Sequence, residues 1–484
     1  MNFLLIEFIV GQLLLVCSAC MLLSVLMSFL FWEHDVLALM LSAAVTAIVG
    51  YSMTICGRRG ADMSTREAIL SVCGGWAMLS VCGALPYMFS GVLSPFYAVL
   101  ESTSGFTTVG STLIRDISPV PKSILFWRSM TQWLGGMGII VLFVSFLPQY
   151  GAGAISLVKA ETGASRERVL PRLSDAAFML WKIYTGMTAI FALILFFAGL
   201  DAFDAITHSM ASVSTGGFSV HNESIRYFNS PLVEFLTAIV TICAAVNFSL
   251  YHQVFVRGWR KFAADLEFRV FIALIAAGSL LIAYDLYRAG IYSLGGSLHN
   301  AFFHVSSVLS TSGLVLADLN PWPPFSKFLV FAFMFIGGCT ASTAGGLKIA
   351  RLIIICELIY IELKRILHPK VIFNLSINGQ TVNSTLTSSA ARYVFVFIFV
   401  YFCAVAVLTF RGVDFYESIL LMASIIGTAG TDVPFALLPS AKSLIDLDEI
   451  SKVAITFCML LARLEFFTVL VLLRPEFWRK TRNW

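Results

Sequence analysis

Ten long apolar runs constrain this 484-residue chain more than any other feature of its sequence. A helix needs about 20 apolar residues to cross a bilayer. Only 12% of the residues are charged, whereas soluble proteins average roughly a quarter. The sequence therefore predicts an all-α polytopic membrane protein. The runs lie at 3–32, 36–56, 67–90, 123–148, 178–199, 231–256, 270–287, 325–360, 391–410 and 450–473.

The positions of Lys and Arg predict how the chain is oriented. A cytoplasmic N-terminus places 22 of the 32 basic residues on the inside, as the positive-inside rule requires. An even number of spans then returns the C-terminus to the cytoplasm. The first run has no Lys or Arg before it and is too long for a signal peptide, so we expect a retained first helix.

The loops on the two predicted sides differ in charge. The outer loops carry fifteen acidic residues against eight basic ones, an excess that would concentrate cations, although ordinary solvated loops would also explain it. The cytoplasmic stretches near 157–177, 257–269, 359–370 and 474–484 are basic. They are suited either to anionic lipid or to a soluble regulator.

Four shorter segments between the long runs form an internal repeat. They lie at 94–108, 202–220, 297–315 and 414–432, are too short to cross a bilayer, and carry Gly, Ser and Thr at one end. We expect each to be a re-entrant half-helix that ends in an extended loop with the pattern Thr-x-Gly. The four triplets are Thr103-Ser104-Gly105, Thr215-Gly216-Gly217, Thr311-Ser312-Gly313 and Thr428-Ala429-Gly430.

This arrangement predicts four M1–P-loop–M2 repeats around a central pore, plus two N-terminal transmembrane helices. Non-helical backbone at membrane depth survives where it lines water or protein, and its carbonyl groups could replace the hydration shell of an ion. For any single copy, Thr and Gly could instead serve close helix packing. The predicted units are 1–60 for the two extra helices, then 61–160, 161–262, 263–370 and 371–484 for the repeats, the third with a broken second helix.

Two further features depart from ordinary membrane-spanning helices. The eighth run contains Gly337, Gly338, Gly345 and Gly346, too many glycines for a good continuous helix, so we expect a tolerated kink or a flexible loop beneath the pore.

Arg463 lies midway along the last run, where a charge is costly and suggests function. The alternative for Arg463 is a structural ion pair with Glu465 or Glu101. We expect Arg128, by contrast, to snorkel or to pair structurally.

The chain resembles the Trk/Ktr/HKT superfamily of potassium transporters, and within it the bacterial TrkH branch, almost from end to end. The resemblance rests on the four triplets and on four longer strings. These are Arg128 through Gln132-Trp133-Leu134-Gly135-Gly136-Met137-Gly138-Ile139-Ile140, Ala202-Phe203-Asp204-Ala205-Ile206, Phe335-Ile336-Gly337-Gly338-Cys339, and Ala462-Arg463-Leu464-Glu465-Phe466-Phe467-Thr468.

The resemblance implies potassium uptake across the bacterial cytoplasmic (inner) membrane. It assigns Gly105, Gly217, Gly313 and Gly430 to a K⁺-binding selectivity filter, and the 337–346 loop with Arg463 to its gate. Relatives that prefer sodium carry Ser in the first loop, so Gly there favours K⁺ over Na⁺; Rb⁺ is a further candidate ion. The fourth loop departs from the pattern, because Thr431 and Asp432 follow its glycine and put a carboxylate near the mouth.

The resemblance also implies partners: a second copy in a homodimer, and a cytosolic ring of TrkA-like subunits that bind NAD or another nucleotide. We expect no cofactor in this chain besides K⁺ in the pore, and no nucleic-acid partner. A proton- or sodium-coupled potassium symporter on the same scaffold is the alternative.

A membrane enzyme or scaffold is a more distant alternative. The sequence has no G-x-x-x-x-G-K-[ST] loop, and its seven His show no metal-ligand spacing.

Overall fold

The computed structural model of this protein describes residues 1–57, 63–138, 173–368, 376–377, 380–381, 384–438 and 443–479. Most of the predicted basic stretch at 157–177, the second half of the run at 123–148 and the last residues of the 474–484 stretch lie outside the described residues.

Two long N-terminal helices form a hairpin. Helix α1 (Phe3–Leu30) and α2 (Val36–Cys56) are joined by five residues and are almost entirely apolar. Gly11 and Gly50 let the two backbones approach closely, since a Cβ on Gly50 would lie 2.9 Å from the Gly11 carbonyl oxygen. The hairpin packs against helices of the first repeat, as the prediction of two extra helices requires.

The remaining helices follow the predicted fourfold order, in which a short helix lies between two apolar ones. The first repeat contains α3 (Thr65–Gly83), α4 (Leu85–Phe89), α5 (Pro95–Phe106) and α6 (Lys122–Gly136). The second contains α7 (Leu173–Phe197), α8 (Ala202–Val213), a 3-10 turn (Ser224–Phe228), α9 (Pro231–Ala244), α10 (Phe248–Arg257) and α11 (Trp259–Ala264).

The third and fourth repeats have the same order. The third contains α12 (Leu266–Arg288), α13 (Leu294–Leu309), α14 (Pro324–Ile336) and α15 (Ile349–Leu367). A two-residue strand pair, β1 (Ser376–Ile377) and β2 (Gln380–Thr381), precedes the fourth. The fourth contains α16 (Ser384–Phe410), α17 (Phe415–Gly427), α18 (Asp432–Leu437), α19 (Glu449–Arg463), α20 (Phe466–Leu470) and α21 (Pro475–Trp478), with 3-10 turns at Leu444–Asp446 and Val471–Leu473.

The four short helices α5, α8, α13 and α17 are the pore helices of the fold. Three of them begin at a residue whose side chain accepts a backbone N–H of the first turn: Asp201, Ser293 and Asp414. Helix α5 instead begins with Pro95, which fits a first helical turn because its missing N–H has no partner there. The prediction of four half-helices is confirmed.

Within the described ranges, fewer helices are long and apolar enough to span a membrane uninterrupted than the ten apolar runs suggest. Among the described residues, six helices are long and apolar enough, or up to eight if two bent pairs are each one span. The runs at 231–256 and 450–473 bend by 90° and 117°, the second next to Glu465, whose φ is +59°. The run at 325–360 stops at Ile336 and resumes at Ile349, which confirms the predicted break.

Candidate ion pathway

Each pore helix ends in the same hydrogen-bonded turn. In the second repeat the N–H of Thr215 donates to the Ser212 carbonyl (3.1 Å), and the N–H of Gly216 donates to the Ala211 carbonyl (3.0 Å). This pair of bonds is the Schellman motif, which ends a helix at a residue in the left-handed conformation. The same pair recurs at Thr108 and Val109, at Thr311 and Ser312, and at Thr428 and Ala429.

A threonine occupies the left-handed position in all four turns. The φ angles are +55° at Thr108, +52° at Thr215, +59° at Thr311 and +56° at Thr428. Glycine is the usual residue there, and a β-branched residue is a strained outlier that persists only where the surroundings enforce it. Two residues later, each chain is left-handed again at a glycine, with φ of +77°, +79°, +68° and +71° at Gly110, Gly217, Gly313 and Gly430.

The first triplet was predicted five residues too early. Thr103, Ser104 and Gly105 lie in the last turns of α5, and the Gly105 carbonyl accepts the N–H of Thr108 (3.0 Å). The position equivalent to the other three loops is Thr108-Val109-Gly110. Gly105 instead allows α5 to approach α6, since a Cβ there would lie 3.0 Å from the Thr131 Cβ.

The spacing between helix-start residues and glycines indicates which of the two triplets in the first segment forms the loop. Two Thr-x-Gly patterns occur in this segment, and the pattern alone does not choose between them. Three of the pore helices are preceded by a helix-start residue that lies sixteen residues before a glycine: Ser94, Asp201 and Asp414. For Ser94 that glycine is Gly110. A helix-start residue therefore fixes the register where the triplet does not.

The four loops meet in a closed ring. A Cβ on Gly110 would strike the Gly216 carbonyl oxygen, and one on Gly217 would strike the Ser312 carbonyl oxygen. A Cβ on Gly313 would lie 3.1 Å from the Gly430 Cα. A Cβ on Gly430 would lie 3.4 Å from the carbonyl oxygen of Val109, which belongs to the first loop. The fourth loop therefore contacts the first. The ring leaves no room for a side chain at Gly110, Gly217 and Gly313, whereas a Cβ on Gly430 would make an ordinary contact.

Gln132 of α6 clamps the second loop. Its Nε2 donates to the Gly216 carbonyl (2.7 Å), and its Oε1 accepts the N–H of Phe218 (3.0 Å). One fully buried amide thus holds the backbone on both sides of Gly217.

Replacing Gln132 by Leu should destabilise the protein, because it leaves two buried backbone groups without partners, each at a cost of about 1–3 kcal/mol. We expect a clearly lower midpoint of thermal unfolding for the detergent-solubilised variant. Gln12→Leu is the matched control, since Gln12 makes a single 3.3 Å bond to Thr54 in the N-terminal hairpin. Equal midpoints for the two variants would contradict the clamp.

Arg128 is a buried structural residue, as predicted. Its Nε donates to Glu101 (2.8 Å) and its Nη1 to the Ser219 carbonyl (2.7 Å), and its guanidinium lies 3.6 Å from the centre of the Phe218 ring. The side chain therefore ties the first repeat to the chain beyond the second Thr-x-Gly loop.

The segment between α14 and α15 is a loop that closes on itself. The N–H of Leu347 donates to Phe335 and that of Lys348 to Ile336, both at 3.0 Å. Gly337 and Gly346 lie back to back with φ of +76° and +73°, and a Cβ on Gly337 would lie 3.0 Å from the Gly346 Cα. The predicted loop is confirmed, and hydrogen bonds join its two ends.

The returning arm of this loop, at Gly345, contacts two threonines of the ring. The N–H of Gly345 donates to the Thr311 hydroxyl (2.8 Å), and a Cβ on Gly345 would strike the Thr428 hydroxyl. Gly338 packs against Ala245, beyond the end of α9, where a Cβ would lie 2.9 Å from the Ala245 carbonyl oxygen. The loop therefore lies directly against the end of the ring formed by the pore-helix C-termini.

Arg463 joins the loop to the first repeat. Its guanidinium donates to the carbonyl groups of Gly135 and Gly136 (2.6 Å to Gly136), which end α6, and to the Thr343 carbonyl (3.3 Å). It also contacts the hydroxyl of Thr108 (3.4 Å). The carboxylates proposed as its alternative partners bind other arginines, Glu465 with Arg351 and Glu101 with Arg128.

Asp432 lies two residues after Gly430 and begins α18. It is half-buried, and burial raises the pKa of its carboxyl to about 6, while the charge of Arg128 acts in the opposite direction. The carboxylate thus follows the fourth loop in the chain, and its burial favours the protonated form relative to an exposed aspartate.

Comparisons with known proteins agree with this geometry. The family profile described as "TrkH: Cation transport protein" matches residues 37–480. The potassium uptake protein TrkH of Halomonas elongata is 34% identical over 98% of both chains. The Escherichia coli K12 protein of the same name is 34% identical over 99% of this chain and all of its own. The crystal structure of the potassium transporter TrkH from Vibrio parahaemolyticus superposes with a TM-score of 0.89 at 30% identity, covering 99% of this chain and all of its own.

Proposed function

This chain belongs to the TrkH family of cation transport proteins, and from that premise we propose that it takes up K⁺ through the ring of four Thr-x-Gly loops. The observation that carries the proposal is the recurrence of one strained backbone conformation at Thr108, Thr215, Thr311 and Thr428. Strain repeated at four equivalent places is typical of a functional site. Membership of a cation transport family agrees with the prediction that the chain is not an enzyme.

The ring has the chemistry of a cation filter. Carbonyl groups of non-helical backbone can replace the water around K⁺, and the pore-helix C-termini bring partial negative charge to the same place. We assign the filter to the corrected first triplet and the three others: Thr108, Val109, Gly110, Thr215, Gly216, Gly217, Thr311, Ser312, Gly313, Thr428, Ala429 and Gly430. One glycine per loop gives few ion sites, so we expect moderate selection of K⁺ over Na⁺.

We assign the gate to the 337–346 loop and Arg463. Gly345 of the loop touches Thr311 and Thr428, and Arg463 places a positive charge between Thr343 of the loop and Thr108. A cation leaving the ring on this side would meet the loop first. The hydrogen bond of Arg463 to the Thr343 carbonyl supports a closed state, in which this contact must break before ions pass.

The wider setting rests on the resemblance and on charge. We propose a bacterial inner-membrane protein with both termini in the cytoplasm, divided into the five units at 1–60, 61–160, 161–262, 263–370 and 371–484. We further propose that it works as a homodimer under TrkA-like cytosolic subunits, and that NAD or another nucleotide acts only through those subunits.

Rubidium uptake into proteoliposomes tests the proposal. Uptake should follow the potassium gradient alone and should be reduced little by an excess of Na⁺. A requirement for a second gradient of H⁺ or Na⁺ would favour the coupled symporter instead. No uptake by correctly inserted protein, with and without a nucleotide-binding partner, would refute both transport mechanisms.

A further inference from the structure

A polar side chain recurs at one register of the pore helices, behind the filter. The residues nine positions before Gly110, Gly217 and Gly313 are Glu101, His208 and His304. All three are buried, with exposed fractions of 0%, 2% and 0%. A buried polar group is costly unless it is hydrogen-bonded, so the partners of these three side chains indicate what they do.

His208 holds the chain beyond the second filter loop. Its Nδ1 lies 3.0 Å from the Asp204 carbonyl oxygen, which can only accept, so Nδ1 carries the proton. Its Nε2 is then an acceptor and lies 3.1 Å from the hydroxyl of Ser219. That hydroxyl accepts the N–H of His221 (3.1 Å) and is left to donate to the imidazole. Ser219 lies two residues after Gly217.

His304 repeats this arrangement in the third repeat. Its Nδ1 lies 2.9 Å from the Asn300 carbonyl oxygen, again four residues back, which leaves Nε2 as the acceptor. Nε2 is shared by the N–H groups of Leu316 and Ala317, each at 3.4 Å. Both imidazoles pack edge-on against an aromatic ring: His208 lies 5.0 Å from Phe228, and His304 lies 5.1 Å from Trp322.

Glu101 supplies the equivalent acceptor in the first repeat, through its carboxylate. It accepts the hydroxyl of Thr112 (3.0 Å) and the N–H of Leu113 (2.6 Å), which lie two and three residues after Gly110. In three repeats, therefore, the same pore-helix position supplies an acceptor for the segment two to four residues beyond the filter glycine.

The fourth repeat differs at this register. Leu421 occupies the equivalent position, nine residues before Gly430, and it has no polar atom to offer. There the chain beyond the glycine turns into the short helix α18, in which the N–H of Phe435 donates to the Thr431 carbonyl (3.2 Å). The fourth segment is therefore helical beyond its glycine, and the residue four positions after that glycine, Pro434, has no N–H to donate.

We propose that Glu101, His208 and His304 are positioning residues that hold three of the four filter loops from behind, the two histidines acting as neutral acceptors through Nε2. This inference rests on the proposed function, because it concerns the loops assigned to the filter. It predicts that the acceptor at this register sets the ion selectivity of the ring without touching the ion.

Substitution of the two histidines tests the inference, with selectivity measured as Rb⁺ uptake under Na⁺ competition in proteoliposomes. His304→Leu, which copies the fourth repeat, and His208→Leu should each reduce selectivity about tenfold, the factor that corresponds to about 1.4 kcal/mol. His304→Gln should keep the selectivity of the wild type, since its amide can place an oxygen near the position of Nε2. The shorter side chain of His304→Asn cannot, so this variant should lose selectivity as the Leu variant does. His299→Leu is the control, because His299 lies on the same helix and pairs with Glu234 (2.6 Å) instead.

The outcomes separate the two hypotheses. Wild-type protein without selective Rb⁺ uptake would refute the proposed function. Selective wild-type protein whose Leu variants stay equally selective would overturn the inference alone. If the Leu variants fail to fold, the Gln and Asn variants decide: a selective Gln variant beside an unselective Asn variant supports the inference, and equal selectivity of the two contradicts it.

Discussion

Replacing Gly110 by Ser should reduce the selection of Rb⁺ over Na⁺ about tenfold or more, an effect of at least about 1.4 kcal/mol at the filter. Gly110 has a φ of +77°, and a Cβ there would strike the Gly216 carbonyl oxygen. A side chain must therefore push the first loop away from the second and widen the ring. The measurement is Rb⁺ uptake into proteoliposomes with Na⁺ as competitor.

Two other glycines give this experiment its controls. Gly412→Ser imposes a similar backbone strain at φ +84°, but no atom lies within 4 Å of its Cβ, so selectivity should not change. Gly105→Ala tests the register of the first loop, because its Cβ would press on Thr131 within the helix packing. It should lower the midpoint of thermal unfolding and leave the selection of Rb⁺ over Na⁺ nearly unchanged. If Gly105→Ala loses more selectivity than Gly110→Ser, the filter assignment returns to Thr103-Ser104-Gly105.

Replacing Arg463 by Ala should raise unregulated Rb⁺ flux about tenfold. The change removes a unit charge from the exit of the ring and frees the carbonyl groups of Gly135, Gly136 and Thr343. A charge about 4 Å from a cation contributes on the order of 4 kcal/mol at an effective dielectric constant near 20, so even a partly screened Arg463 is a substantial barrier. Flux without any regulatory partner is the quantity to measure.

Two variants bracket this prediction. Arg463→Lys keeps the charge but reaches fewer carbonyl groups, so its flux should fall between the wild type and Arg463→Ala. Arg411→Ala is the control, since Arg411 pairs with Asp448 (2.9 Å) outside the ring and the loop. An unaltered or lower flux of Arg463→Ala in correctly inserted protein would remove Arg463 from the gate.

Much of the fold follows from patterns that the sequence displays directly. Long apolar runs, half-length segments between them and a fourfold Thr-x-Gly pattern predict four repeats, and four glycines in ten residues predict the break after Ile336. The bends near residues 245–247 and at Glu465 were missed, because apolarity measures the length of a span and carries no information on where the backbone turns inside it.

The register of the first loop shows a different limit. Thr103-Ser104-Gly105 and Thr108-Val109-Gly110 are both Thr-x-Gly, and only the length of α5 decides which one leaves the helix. The residues Gln132, His208 and His304 were not predicted as part of the site for a related reason. Their importance depends on hydrogen bonds to backbone in other segments, and such contacts become visible only when the segments are folded together.

The most direct test of the central claim is to locate the ion. Crystals of this protein soaked in Rb⁺ should show an anomalous scattering peak on the axis of the ring, among the backbone carbonyl groups near Gly110, Gly217, Gly313 and Gly430. The peak should fade when K⁺ replaces Rb⁺ and persist when Na⁺ is added at the same concentration. A ring without a peak, or a peak that Na⁺ displaces as readily as K⁺, would contradict a potassium-selective filter built from these four loops.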